Sequence, residues 1–305
     1  MMGTALAEEE RLSLLLRQIK WAEEKTEFYR TAFEREGIQA ASVTSFADMA
    51  RLPFWESAEE EGADAPFFML TLPLSGVLRM SMLRDTGEHG EIHCYTQGDV
   101  ARQVQTAADM LAACGVNRAS TALLAGDFTD SRTLDLQYAL DGIGATVLPC
   151  ADGAAATRLL RAAVPDTIIV WEDVLPAILD SLADFRIHRL ITVGTHIMPQ
   201  SFARAFAEQQ GARHAHIFAR AQMGALIGCS CAAGEGIHLE ERLFFAEVID
   251  AGGNASRADG AHGELVLSTL TAEAEPVLRY RTGISVRLAR GNCGCGDARL
   301  RIIEE

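Results

Sequence analysis

The chain has 305 residues, 49% hydrophobic and 23% charged, enough for one large core or two smaller ones. Acidic residues outnumber basic ones 42 to 27, a net charge of −15 with no basic stripe, which argues against nucleic acid as a partner. No apolar run approaches the roughly 18 residues of a membrane span, and the start, "MMGTALAEEERLS", lacks the basic region and apolar stretch of a signal peptide. A cytoplasmic chain with reduced thiols is expected, in keeping with an odd cysteine count of 7.

Leu12, Leu15, Leu16 and Ile19 recur at helical spacing, and Tyr29 and Phe33 extend the pattern. Residues 9–36 therefore read as one long helix or two in tandem, stopped at Gly37. "LPFWE" (52–56) and the stretch to residue 78 read as loop and short strand. From about residue 97 helices and strands alternate. Helices are expected from about 97 to Gly115, over Leu134–Leu140, 154–163, about 173–183 and 199–210; strands at "TALLAG", "ATVLPC", "DTIIVW", "HRLITVG" and "HAHIFA". That rhythm predicts a parallel sheet with packed helices. After Gly224, "GIHLEERLFFAEVI", "GELVLSTL" and "VLRYRTGISVRLA" are strand-like and separated by Gly/Asn/Asp turns, which predicts an antiparallel meander or small barrel. The expected division is 1–96, an N-terminal helical segment with a polar glycine-bearing loop; 97–224, an α/β core; and 225–305, a β-rich subdomain; all one structural unit.

The segments "FYRTAF", "LPFWE", "YTQGDV", "GDFTDSRTLDLQYALDGIGATVLPCADG", "VGTHIMP", "IFARAQMG" and "GELVLSTLTAEAEPVLRYRTG" occur in one order along the chain. Together they resemble the phenylacetate–coenzyme A ligase group of the adenylate-forming (acyl-CoA synthetase, AMP-binding) superfamily, from about residue 20 to 297. The resemblance implies the N-terminal domain of an adenylate-forming enzyme, mostly parallel sheet with packed helices, followed by a β-rich subdomain. It implies a chemistry in which a carboxylate and ATP form an acyl-adenylate and coenzyme A takes the acyl group. It also implies dimerisation. The family's mobile C-terminal lid, with its catalytic lysine, is expected to be absent.

The pocket positions implied by the resemblance are Thr86, Gly87, Gly194, His196, Phe218, Gln222 and Arg281. Several depart from the family pattern. The loop that would wrap phosphate reads Leu83, Arg84, Asp85, Thr86, Gly87, Glu88, His89, Gly90. Asp85, Glu88 and Glu91 would stand beside a triphosphate, and one such repulsion costs on the order of 4 kcal/mol at an effective dielectric near 20. Gln222 replaces the glutamate that helps hold magnesium, losing the charge that a hard cation prefers. Ile284 replaces the aspartate that would bond the ribose, and it accepts no hydrogen bond. ATP and magnesium are therefore not expected to bind, and no catalytic residue is assigned. The expected function is that of a ligase-like pseudoenzyme that binds a small carboxylate, an acyl thioester or a partner protein. The alternative is an active or split acyl/aryl-CoA ligase, helped by a separate C-terminal domain.

Cys231 and His238, spaced C-x6-H, with Cys293 and Cys295 as C-x-C, match a set found in part of that family. Thiolates and imidazole suit tetrahedral zinc, so a structural zinc is expected, with Cys229 competing for the place of Cys231. His214 and His216 share a strand face but read poorly as a metal pair. Asp127, Asp130 and Arg132 read as pocket mouth or, more plainly, helix cap, and Asp135 as helix surface.

Overall fold

A computed structural model describes residues 6–55, 67–83, 91–231, 233–291 and 293–304. The N-terminal pattern folds as two helices in tandem, α1 (Glu8–Lys25) and α2 (Glu27–Arg35). The break is local chemistry at Thr26. Its extended backbone ends α1, and its hydroxyl accepts from the Tyr29 N–H, capping α2. Leu15, Ile19, Ala22, Tyr29 and Phe33 bury the common face.

Next comes a two-stranded ribbon, β1 (Arg79–Leu83) and β2 (Glu91–Tyr95), paired antiparallel with Leu83 opposite Glu91. Then follow α3 (Gln97–Ala113), β3 (Thr121–Ala125), α4 (Ser131–Ile143), β4 (Thr146–Cys150), α5 (Gly153–Ala163), β5 (Thr167–Trp171), α6 (Leu175–Leu182), β6 (Arg189–Gly194), α7 (Ser201–Gln210) and β7 (Arg213–Arg220). The C-terminal strands are β8 (Ala225–Ser230), β9 (Ile237–Leu239), β10 (Phe244–Ile249), β11 (Ala255–Ser256), β12 (His262–Thr269), β13 (Tyr280–Ala289) and β14 (Arg301–Glu304).

Among the described residues, twelve strands form one sheet in the order β11-β10-β12-β13-β14-β9-β8-β7-β6-β5-β3-β4. The stretch β4-β3-β5-β6-β7 is parallel, and from β7–β8 onward every pairing is antiparallel. The predicted mixed α/β architecture is present. The β-rich segment continues the parallel sheet rather than standing apart as a barrel. Strand β5 is buried along its whole length, as expected of a central parallel strand covered on both faces. One core layer joins Met110 and Leu111 of α3 and Leu136 and Leu140 of α4 to that sheet. A second, on the other face, gathers Leu160, Ile178, Leu182 and Ala203 from α5, α6 and α7. A third packs the N-terminal helices against the antiparallel strands.

Helix ends follow the sequence. Thr96 and Asp99 form a reciprocal capping box at α3, Asp130 caps α4, and Gly144 and Gly211 end α4 and α7 in the left-handed region. Helix α4 therefore begins at Ser131, ahead of the predicted Leu134. Asp135, expected on its surface, is instead buried. Arg79 Nη1 lies 2.6 Å from its carboxylate, and burial lifts its pKa to about 6 despite that guanidinium. Ser81 Oγ donates to the Thr129 carbonyl at 2.7 Å and accepts from the Ser131 N–H at 2.8 Å. These bonds seat the ribbon at the carboxyl end of β3, where open α/β sheets place their ligands.

Candidate metal centre and cleft

Thr86 and Gly87, with the rest of residues 84–90, lie outside the described residues. Of the other pocket candidates, Gly194 on β6 stands directly opposite Phe218 on β7. Gly194 ends β6 with no room beside it: a Cβ there would stand 2.3 Å from Glu172 Oε2. His196 is exposed, and its carbonyl accepts from His216 Nε2 at 2.8 Å. Phe218 is 0% exposed, its ring enclosed in the core rather than open to a cleft. Gln222 is half-buried, and its Oε1 is enclosed without a hydrogen-bond partner. Arg281 turns to Glu264, donating from Nη2 at 2.6 Å, and lines a separate shallow groove with Phe54, Asp250, His262 and Gly283. Its neighbour Tyr280 faces the other way and accepts from Arg220 at the end of β7. Ile284 is half-buried against the same apolar cluster that holds Phe218.

Under this edge lies a polar chain that sequence reasoning divided or missed. His214 and His216 sit on β7, and Thr192 Oγ1 lies 3.1 Å from His214 Nε2 and 2.8 Å from His216 Nδ1. Burial holds both pKa values at about 4, so both rings are neutral near pH 7. With His216 neutral and its Nε2 donating to the His196 carbonyl, its Nδ1 accepts from Thr192 Oγ1, which leaves His214 Nε2 to donate to that oxygen. Glu172 completes the group. Its carboxylate accepts from the Gln200 N–H at 2.7 Å, and burial raises its pKa. An acid directly after the apolar strand "TIIVW" was the available signal.

On β2, His93 is clamped between two carboxylates, with Nδ1 3.0 Å from Glu275 and Nε2 3.6 Å from Glu91. Burial pushes its pKa down, but the two carboxylates outweigh that and raise it to about 9. The pH dependence follows. His93 binds its proton more tightly folded than unfolded, where its pKa is about 6.5. Its contribution is fully present below that value and is lost as pH rises through about 9. His214 and His216 act oppositely: their contribution is present above about 6.5 and is lost as pH falls through about 4. His93→Gln is expected to flatten the alkaline limb of melting temperature against pH and leave the acid limb in place. Parallel curves for parent and variant between pH 6.5 and 9 would refute the assignment.

The predicted metal ligands do converge. Cys231 follows β8, His238 is on β9, and Cys293 and Cys295 lie on the turn before β14. Their four ligand atoms all lie within 4.8 Å of one another. Cys231 Sγ is 3.5 Å from Cys293 Sγ, and Cys295 Sγ is 3.4 Å from His238 Nε2. A tetrahedral zinc with bonds of about 2.0–2.3 Å needs ligand separations of about 3.3–3.8 Å, so the set fits that ion with small adjustments. Close strand approach builds it. Gly228 pairs with Leu239, and a Cβ at Gly228 would meet the His238 carbonyl at 2.3 Å. Cys229, directly opposite His238, turns into the apolar core and is outside the set. The seven cysteines are free thiols.

No protein-family model matches the chain. Among curated proteins it is 28% identical over 299 residues to the phenylacetate-coenzyme A ligase of Aromatoleum evansii. It is 26% identical over 297 residues to that of Escherichia coli strain K12. Each alignment covers 92% of this chain and 67% of the relative, so the chain spans about two thirds of the length of those ligases. Among solved structures, an open conformation of 2-hydroxyisobutyryl-CoA ligase in complex with 2-HIB-AMP and CoA matches with a TM-score of 0.85 at 16% identity, over 96% of this chain and 73% of that one. The fold is that of an acyl-CoA ligase. No described helix is long and apolar enough to cross a membrane.

Proposed function

We propose that this homologue of the phenylacetate–coenzyme A ligases is a ligase-derived protein that does not carry out ATP-dependent ligation and binds a small carboxylate or an acyl thioester. The carrying observation is that Phe218 and Ile284 belong to one apolar cluster. These are the positions that the resemblance assigns to the pocket aromatic and the ribose partner. A nucleotide would find an isoleucine where a carboxylate should accept its ribose hydroxyls. At the magnesium position Gln222 offers an uncharged oxygen. The acyl side of the reading rests on the ligases named above.

The same reading places one structural zinc on Cys231, His238, Cys293 and Cys295. Four protein ligands leave no open position, so the ion's part is to tie the turn before β14 to β8 and β9. A second reading is an acyl- or aryl-CoA ligase working with a separately supplied C-terminal domain. It is favoured by similarity to a phenylacetate-coenzyme A ligase that extends over 92% of this chain. Calorimetry separates the two: the first reading expects no saturable heat from ATP·Mg up to millimolar concentration, with or without phenylacetate. Micromolar affinity for ATP·Mg would overturn it and leave the second.

A further inference from the structure

The turn that supplies Cys293 and Cys295 runs on into Asp297, which touches two of the four ligands at once. Its backbone N–H donates to Cys295 Sγ at 3.4 Å. Its side-chain Oδ2 stands 3.8 Å from His238 Nδ1. That distance is too long for a hydrogen bond. His238 Nδ1, on a side chain 2% exposed, makes no well-formed hydrogen bond, and beside the ring the Arg299 backbone is the other acceptor.

The carboxylate itself is held firmly. Arg299 donates its backbone N–H to Asp297 Oδ1 at 2.9 Å, and its Nε and Nη2 to Oδ2 at 2.9 and 2.6 Å. The same guanidinium donates from Nη1 to Glu240 Oε2 at 3.1 Å, two residues beyond His238. Glu240 in turn accepts from Arg242 Nε at 2.6 Å, and Arg242 reaches Asp109 on α3 at 2.6 Å. The carboxylate is thus fixed by Arg299, and Oδ2, which accepts two of those bonds, is also the oxygen nearest the imidazole.

We infer that Asp297 is the positioning residue of the metal centre: it accepts the Nδ1 proton of His238 when Nε2 takes the metal. The inference rests on the zinc reading above. Nε2 faces Cys295, so the proton of a metal-bound neutral imidazole must sit on Nδ1. A small turn of the ring closes the gap to Oδ2 and gives Nδ1 a well-formed bond. That bond fixes the tautomer and makes Nε2 a stronger donor to the metal, while the Asp297 N–H stabilises the Cys295 thiolate.

The test is zinc competition against a chromophoric chelator on the full chain, comparing parent, Asp297→Asn and Asp109→Asn. Asp297→Asn keeps the shape and removes the anion. It is expected to bind zinc 10- to 100-fold more weakly, the range typical of ligand-supporting carboxylates. Asp109→Asn breaks the far end of the same ion network and is expected to bind as the parent does. Equal affinity in Asp297→Asn and parent overturns the inference, as does equal weakening in both variants, which would mean general loosening. A parent that takes up no zinc overturns both this inference and the zinc reading. The parent alone supplies an independent measurement if Asp297→Asn does not fold. In the zinc-loaded protein, 15N-labelled His238 should carry a slowly exchanging proton on Nδ1; metal on Nδ1 would refute the role of Asp297.

Discussion

Stripping zinc from the purified protein is expected to lower its melting temperature by about 10 °C. At free zinc near 1,000 times Kd, an ion bound only by the folded chain adds about 4 kcal/mol. In large domains each kcal/mol moves the midpoint by about 2–4 °C. Cys295→Ser should start at the lowered temperature, hold little zinc and no longer respond to chelator, because it removes the thiolate beside His238 Nε2. Cys114→Ser should keep one zinc per chain, since Cys114 packs against an apolar cluster and is not one of the four converging residues. Scanning calorimetry with elemental analysis reads both. Equal melting temperatures with and without chelator would show that the four residues bind no stabilising ion.

Glu247→Ala should be the most damaging single change outside the metal centre, costing about 3–5 kcal/mol, the usual result of stranding one member of a buried ion pair. Arg279 and Glu247 are 1% and 3% exposed and meet at 2.7 Å. Arg279 also donates to the Leu52 carbonyl at 2.6 Å and the Ala50 carbonyl at 3.2 Å, and its guanidinium lies 3.9 Å from the Phe54 ring centroid. It thereby ties the loop after α2 to the antiparallel strands, and its own backbone is held at φ 53°, in the left-handed region that non-glycine residues seldom adopt. With Glu247 gone, the guanidinium charge is left in the core with two carbonyls and the Phe54 ring but no anion to meet it. Urea unfolding measures the cost; a loss below about 1 kcal/mol would contradict this account of the pair.

Much of the parallel half was legible because each strand there is a short apolar run bounded by caps and glycines, and the structure keeps those limits within a few residues. The metal set was legible for a different reason. Four ligands of matching chemistry stand at fixed spacings, and spacing survives in a linear text. What did not show was pairing between distant segments. Asp135 looks like any helix-surface acid until Arg79, 56 positions earlier, is brought against it. "RYRTG" drew attention to Arg281, which is half-exposed and paired with Glu264, whereas the buried Arg279 beside it carries the structural load. Cys229 and Cys231 could not be ranked by spacing. The end of β8 decides between them: Cys229 is inside the strand and joins the apolar core, whereas Cys231 lies just past Ser230 and its sulfur joins His238. Glu172 and His93 were overlooked because neither belongs to a motif; each matters through what surrounds it.

The most direct test of the central claim is carboxylate-dependent release of pyrophosphate from ATP by the purified chain, with magnesium and coenzyme A present and phenylacetate as the first acid tried. On the proposed reading, with Phe218 enclosed in the core and Ile284 at the position that the resemblance assigns to the ribose partner, the chain should release pyrophosphate at the rate of a protein-free control. Turnover that rises with phenylacetate and saturates, and that survives repurification, would mean that the nucleotide site is intact and that the chain is a working ligase.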